Sequence, residues 1–329
     1  MTARCPRLVV LRALKLGDFL TAVPALRALM HSFPDHEIVL AAPAWLEPLV
    51  VHAGAVDRLV DTPGLVDLDP SLHGGDVAVN LHGSGPHSTA LLAATSPTRL
   101  LSFGLAGGPV WRDDEHERER WCRLLREFAI PAGADDLRLD VPDIAAPGSA
   151  IGATLLHPGA SSEARRWPVE RWAAVARAEV EAGRPVALTG DATEAGLATE
   201  VARRAGLDDD TVLAGRTDLL ELLATVAGAE RVVCGDTGVA HVASAMGTPS
   251  VVLFGPTSPA RWGPPATGPH LALWKGRTGD PHANQADPGL LAISVDDVLE
   301  TLACLPEHHR SRVLGGHQVE HPVRHHHVD

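Results

Sequence analysis

Short apolar runs alternate with stretches of helical spacing along most of the chain. The run "RLVVLRA" (7–13) has strand length and leads into "DFLTAVPALRALMHSF" (18–33). There Leu20, Val23, Leu26 and Met30 keep the spacing of one helix face. The same exchange follows in "HEIVLAA" (36–42) and a helix-like "AWLEPLVVHAG", then in "DVAVNLHG" (76–83) and a helix around "HSTALLAAT". A run "RLLSFG" and a charged helix over 113–130 close this half. Strands alternating with helices predict a parallel, doubly wound sheet.

The stretch "VPDIAAPGSA" (141–150) breaks the pattern and reads as a linker. The alternation then restarts. "IGATLLHPGA" (151–160), "RPVALTGD" (184–191), a short "TVLAG", "RVVCGD" and "PSVVLFGP" (249–256) read as strand segments. Between and after them, helices are expected over 168–182, 192–206, 218–229, 237–246 and 294–305. The expected organisation is α/β, with one unit over 1–145 and a second over 151–305. Two such units imply a cleft, with ligands at the C-terminal ends of the strands. Residues 306–329 have no apolar period and read as a disordered, His-rich tail.

Composition narrows the function. The chain has 329 residues, and its net charge of −13 disfavours a general nucleic-acid surface. Cysteines at 5, 122, 234 and 304 form no CxxC pair, so neither structural zinc nor a disulfide framework is expected. Arg12 and Lys15 cut the first apolar run, which therefore reads as a strand rather than a leader. No stretch is long and apolar enough to span a bilayer, and the cytoplasm is the expected compartment. No G-x-G-x-x-G follows the first strand and no P-loop occurs.

Three polar segments follow strand ends. In "GDTGVAH" Asp236 stands where a helix N-cap belongs, Thr237 and Gly238 open the first turn, and His241 lies about one turn on. Free N–H groups there suit a phosphate, although an Asp cap on a structural helix has the same pattern. In "HPGASSEARRWP" Ser161, Ser162, Arg165 and Arg166 could grip a diphosphate, or simply face solvent. In "LKLGDFL" Gly17 allows a tight turn and Asp18 opens a helix, either as its cap or as a carboxylate aimed into the cleft.

Together, "LGDFLTAVPALRAL", "HPGASSEARRWP" and "CGDTGVAHVASAMGTPSVVLFGPTSP" make the chain, over about 7–305, resemble glycosyltransferase family 9. Its best-known members are ADP-heptose:lipopolysaccharide heptosyltransferases. The resemblance implies a GT-B fold of two Rossmann-like units facing a cleft, with the acceptor on the first and a sugar nucleotide on the second. It implies Asp18 as catalytic base, and Ser161, Ser162, Arg165, Glu194, Asp236, Thr237, Gly238 and His241 as donor-binding residues. Arg165 stands where the family usually has Lys. An inverting transfer without metal or cofactor is expected, most readily from an ADP-sugar such as ADP-heptose. The acceptor could be a carbohydrate, a lipid-linked molecule met by peripheral membrane contact, or a small molecule. A sugar-nucleotide 2-epimerase of the same architecture and a non-catalytic sugar-nucleotide-binding protein are the alternatives.

Overall fold

The computed structural model describes residues 6–306, so the expected tail lies, apart from Pro306, outside the described residues. The first half runs β1 (Arg7–Leu11), α1 (Leu16–Ser32), β2 (Glu37–Ala42), α2 (Glu47–Ala53), β3 (Arg58–Asp61), β4 (Val77–Asn80), α3 (His87–Ala94), β5 (Arg99–Leu101) and α4 (Glu117–Glu127). The second half begins with β6 (Thr154–His157), α5 (Val169–Glu181), β7 (Val186–Leu188), α6 (Ala195–Ala205), α7 (Leu219–Gly228) and β8 (Arg231–Gly235). It ends with α8 (Gly238–Met246), β9 (Ser250–Phe254), α9 (Pro259–Trp262), β10 (His270–Trp274), α10 (Pro288–Leu291) and α11 (Val295–Ala303).

Each half contains one five-stranded sheet in which every pairing is parallel. This is the α/β, GT-B class that the alternation and the resemblance imply. The strand orders differ: β3-β2-β1-β4-β5 in the first sheet and β10-β9-β8-β6-β7 in the second. The first is the Rossmann order, and the second, counted within its own half, is the flavodoxin-like order 2-1-3-4-5. The order reverses between β1 and β4 in one sheet and between β6 and β8 in the other. Ligands of such sheets bind beyond the strand ends at those reversals.

The central strands are buried on both faces, which is why they read as continuous apolar runs. Each half has an apolar cluster of its own, around Val9, Val39 and Leu92 in the first and around Trp172, Val201 and Val251 in the second, and a third cluster is shared. The shared cluster contains Leu8, Val10, Leu26 and Trp121 from the first half and Leu155, Val226, Val232 and Phe254 from the second. The N-terminal turns of α1 and α8 cross in close contact. A Cβ on Gly17 would lie 2.8 Å from His241 Cδ2 and 3.4 Å from Gly238 Cα, and one on Gly238 would lie 3.1 Å from Leu16 Cδ2. Beyond that crossing, Leu139 N–H donates to Ala245 O at 3.1 Å and the Arg138 guanidinium to Met246 O at 2.8 Å.

Several local expectations change. β3 and β10 were not expected, whereas "TVLAG" supplies a single bridge, Leu188 to Val212, rather than a strand. α4 is shorter than 113–130, because His116 caps its start through Nδ1 and Ala129 turns left-handed past its end at φ 61°. Gly17 makes no turn. It sits inside the first turn of α1, where its missing side chain admits α8.

Candidate functional site

The segments after β1 and β8, each beside the strand-order reversal of its sheet, meet at Gly17 and Gly238. Asp18 is the third residue of α1 rather than its cap, and its Oδ2 accepts the Lys15 N–H at 3.4 Å. Its side chain is about one-quarter exposed. Burial raises its pKa above the ordinary carboxylate value, Arg12 opposes that rise, and Glu117 adds to it. Arg12 lies beneath it, 1% exposed, with Nη2 3.6 Å from Asp18 Oδ1. Asp18 is thus a partly accessible carboxylate with an enhanced hold on a proton.

Opposite lies the start of α8. Thr237 is its N-cap and Asp236 precedes it, so the expected Asp cap is absent, and no side chain caps this helix. Such an end leaves N–H groups available to an anion. Thr237 Oγ1 is buried without a hydrogen-bond partner, as is Arg165 Nε. Asp236 is 8% exposed, and its pKa is pushed up to about 6. Burial is the main cause. Asp18 pushes the same way, while Arg165 and a hydrogen bond with Thr257 oppose it. The two carboxyl groups therefore feel each other across the halves.

Gly238 and His241 both lie in the contact with α1. Gly238 is filled from outside by Leu16, and the His241 ring packs against Gly17 with its edge towards Trp262, ring centroids 6.0 Å apart. Burial, assisted by Arg118, lowers the His241 pKa to about 3, so the imidazole is neutral. On this geometry His241 is part of the contact between halves.

The turn after β6 holds the residues expected to grip a diphosphate. The Arg165 guanidinium donates to Ser161 Oγ and, at 3.2 Å, to Asp236 O. It therefore ties the β6 turn to the entrance of α8. Ser162 is engaged differently: its Oγ accepts the Ala164 N–H at 3.3 Å and donates to Ala283 O at 3.4 Å. Arg166 is drawn to Glu163 and Ala160 O, away from α8. A cavity of about 250 Å³ opens beside this turn, with Ser161, Ser162, Arg166, His282 and Asn284 in its wall.

Glu194 reaches the same edge from the start of α6. Gly159 and Gly190 make room for it: a Cβ on Gly159 would fall 2.1 Å from the Glu194 carboxyl carbon, and one on Gly190 3.0 Å from Glu194 Cβ. One carboxylate oxygen accepts the Asp191 N–H at 3.0 Å and lies 3.9 Å from Nε2 of His157. Burial holds His157 neutral by depressing its pKa.

Sequence reasoning missed Arg12, Glu117 and Thr257 as contributors to this site. Arg12 left a signal, since a charge inside an apolar run needs a buried partner, but nothing in the sequence pointed to Glu117 as that partner. The segment between β4 and α3 is fixed by Asn80, whose amide nitrogen donates to Ser88 Oγ at 3.0 Å and Ser102 Oγ at 3.0 Å. It holds His82 close to Arg12, and burial lowers the His82 pKa to about 4. Among the described residues, no three His, Cys, Asp or Glu side chains group as a metal site, and no helix is long and apolar enough to cross a membrane.

Comparison with known proteins gives concordant findings. The family model for glycosyltransferase family 9 (heptosyltransferase) matches residues 112–280. Lipopolysaccharide heptosyltransferase 2 of Escherichia coli K12 is 26% identical over 281 residues, which cover 74% of this chain and 81% of that protein. Lipooligosaccharide heptosyltransferase 2 of Haemophilus influenzae is 25% identical over 283 residues, again 74% of this chain and 81% of that protein. Among solved structures, E. coli ADP-heptose lps heptosyltransferase II superposes with a TM-score of 0.72 at 24% identity, covering 90% of this chain and 97% of that one. An E. coli heptosyltransferase solved with ADP gives a TM-score of 0.66 at 16% identity, covering 90% and 99%.

Proposed function

The chain belongs to glycosyltransferase family 9, and from that premise we propose that it transfers a heptose from ADP-heptose to an acceptor hydroxyl, with inversion and without a metal. Membership makes it a glycosyltransferase, which sets aside the epimerase and the non-catalytic binding protein. The ADP-heptose donor is supported by the relatives' names and by the E. coli neighbours solved with ADP and with ADP-2-deoxy-2-fluoro heptose. The cytoplasm remains the proposed compartment, and acceptor binding by the first half and donor binding by the second remain the proposed division of labour.

The observation that carries the reading is the meeting of Asp18 from one half with the uncapped start of α8 from the other. Asp18 takes the proton of the acceptor hydroxyl as its oxygen attacks the anomeric carbon from the face opposite the diphosphate. A carboxylate with a raised pKa suits that step, because its proton affinity lies nearer the working pH. The bond from the anomeric carbon to the diphosphate oxygen breaks, and negative charge develops on the leaving ADP. Arg165, Ser161, Thr237 and the N–H groups opening α8 are the donors available to that charge. Glu194, held open by glycines at the second-sheet edge, is available to the ribose hydroxyls.

Asp18→Asn tests the base. Asn keeps the shape but cannot accept a proton at neutral pH. Turnover should fall about 10²–10⁴-fold, while ADP-heptose still raises the melting temperature as in the wild type. Near-normal turnover would leave the mechanism without a base. The same assay run in EDTA should keep its rate, and loss in chelator with recovery on magnesium or manganese would overturn the metal-free reading.

A further inference from the structure

Beneath Asp18 lies a group of buried charges with no place in binding either substrate. Arg12 projects from the end of β1 and is 1% exposed. Its Nε donates to the main-chain oxygen of Asp18 at 3.0 Å, Nη1 to Leu81 O, and Nη2 to Thr21 Oγ1 at 3.1 Å and Glu117 Oε1 at 3.3 Å. The guanidinium lies over the Trp121 ring, 4.7 Å from its centre. Glu117, at the start of α4 and 5% exposed, also accepts from Trp121 Nε1 at 3.0 Å and from the Arg120 guanidinium. Arg12 is therefore fixed from β1, α1, α4 and the β4 loop at once. A buried guanidinium is costly unless its fork is satisfied, and here much of that fork is directed at the turn that carries Asp18.

Resting on the reading of Asp18 as the base, we propose that Arg12 and Glu117 are its positioning residues, a buried ion pair that orients the carboxylate and sets its charge balance from below. The fork holds the Asp18 main chain and Thr21, so the first turn of α1 cannot rotate the carboxylate out of the cleft. Neither Arg12 nor Glu117 touches substrate. The charges facing Asp18 are Arg12 beside it, Glu117 from α4 and Asp236 from the second half, with the Lys15 N–H on one oxygen. His82 faces Arg12 from the β4 loop.

The two partners act on Asp18 with opposite sign, and this separates positioning from simple structural support. The Glu117 carboxylate favours the protonated base, and the Arg12 guanidinium favours the ionised one. In protein labelled with ¹³C at aspartate carboxyls, the Asp18 resonance is assigned by its loss in Asp18→Asn. Its titration midpoint should move to lower pH in Glu117→Gln and to higher pH in Arg12→Gln. Arg12→Lys keeps the charge and should leave the midpoint near the wild type. It lacks the fork, however, and should slow ADP release from ADP-heptose, with water as the acceptor, by about 10²-fold, as expected for a misplaced group.

Should Arg12→Gln fail to fold, Glu117→Gln and Arg12→Lys still decide the matter. An Asp18 midpoint unmoved or raised in Glu117→Gln overturns the inference, as does an ADP-release rate unchanged in Arg12→Lys. If the midpoints move as expected while the acid limb of ADP release does not follow them, the positioning stands and the reading of Asp18 as base falls.

Discussion

Asp236 is the more deeply buried of the two cleft carboxyls. Its pKa of about 6 lies above the ordinary 3.8. The folded chain therefore keeps this proton over a range where the unfolded chain has lost it. The stability linked to that proton is complete below about pH 4 and is lost as pH rises to about 6. Asp236→Asn removes the buried charge, so the variant should melt higher than wild type at pH 8. The gap, on the order of 2–3 kcal/mol, should close towards pH 4. A gap that does not change with pH would count against a buried, raised carboxyl. Arg165 has the opposite task. Arg165→Ala should weaken ADP-heptose binding by about 1.5–3 kcal/mol, measured calorimetrically, and an unchanged dissociation constant would remove Arg165 from the donor grip. Asp18, Asp236 and Arg165 could be proposed from sequence because each lies in a polar segment between a strand and the body of the following helix. The pairing of Arg12 with Glu117 could not, because it joins positions far apart in the chain and no local pattern encodes that distance.

Among the elements, α1 and α8 depend most closely on each other. Their first turns touch at Gly17 and Gly238, and the His241 ring closes over the contact. Gly17→Ala would gain about 1 kcal/mol of helix propensity. It also forces a methyl group to within 2.8 Å of His241 Cδ2, and overpacking of that kind costs about 1–3 kcal/mol. A net loss is expected in the wild type. In a His241→Ala background the clash disappears, and the same change should be neutral or stabilising. The double-mutant cycle checks this, and additive effects would show that the ring does not set the approach. The helices α5 and α6 were readable because each buries one apolar stripe and exposes charged residues on the other side. β3 and β10 were not. Both are edge strands without a fully buried residue, so their apolar signal is diluted. β10 is further hidden among glycines and prolines on both sides.

At the scale of the whole molecule, the strand–helix alternation and the Pro/Gly-rich break revealed two sheets but not how firmly they are joined. A continuous apolar cluster crosses between the halves, and main-chain and guanidinium bonds from the 138–139 segment reach the end of α8. Heating should therefore melt both together. Calorimetry should show a single transition whose calorimetric and van't Hoff enthalpies agree, and two resolved peaks would show the halves to be independent. The glycine crossing has a mechanical consequence as well. Gly17 precedes Asp18 in the chain, and Asp236 lies just ahead of Gly238. Were the halves to turn about that crossing, both carboxyls would sit at the short end of the lever. Swinging one half against the other would carry the outer loops through long arcs while scarcely altering the spacing of the groups beside the pivot.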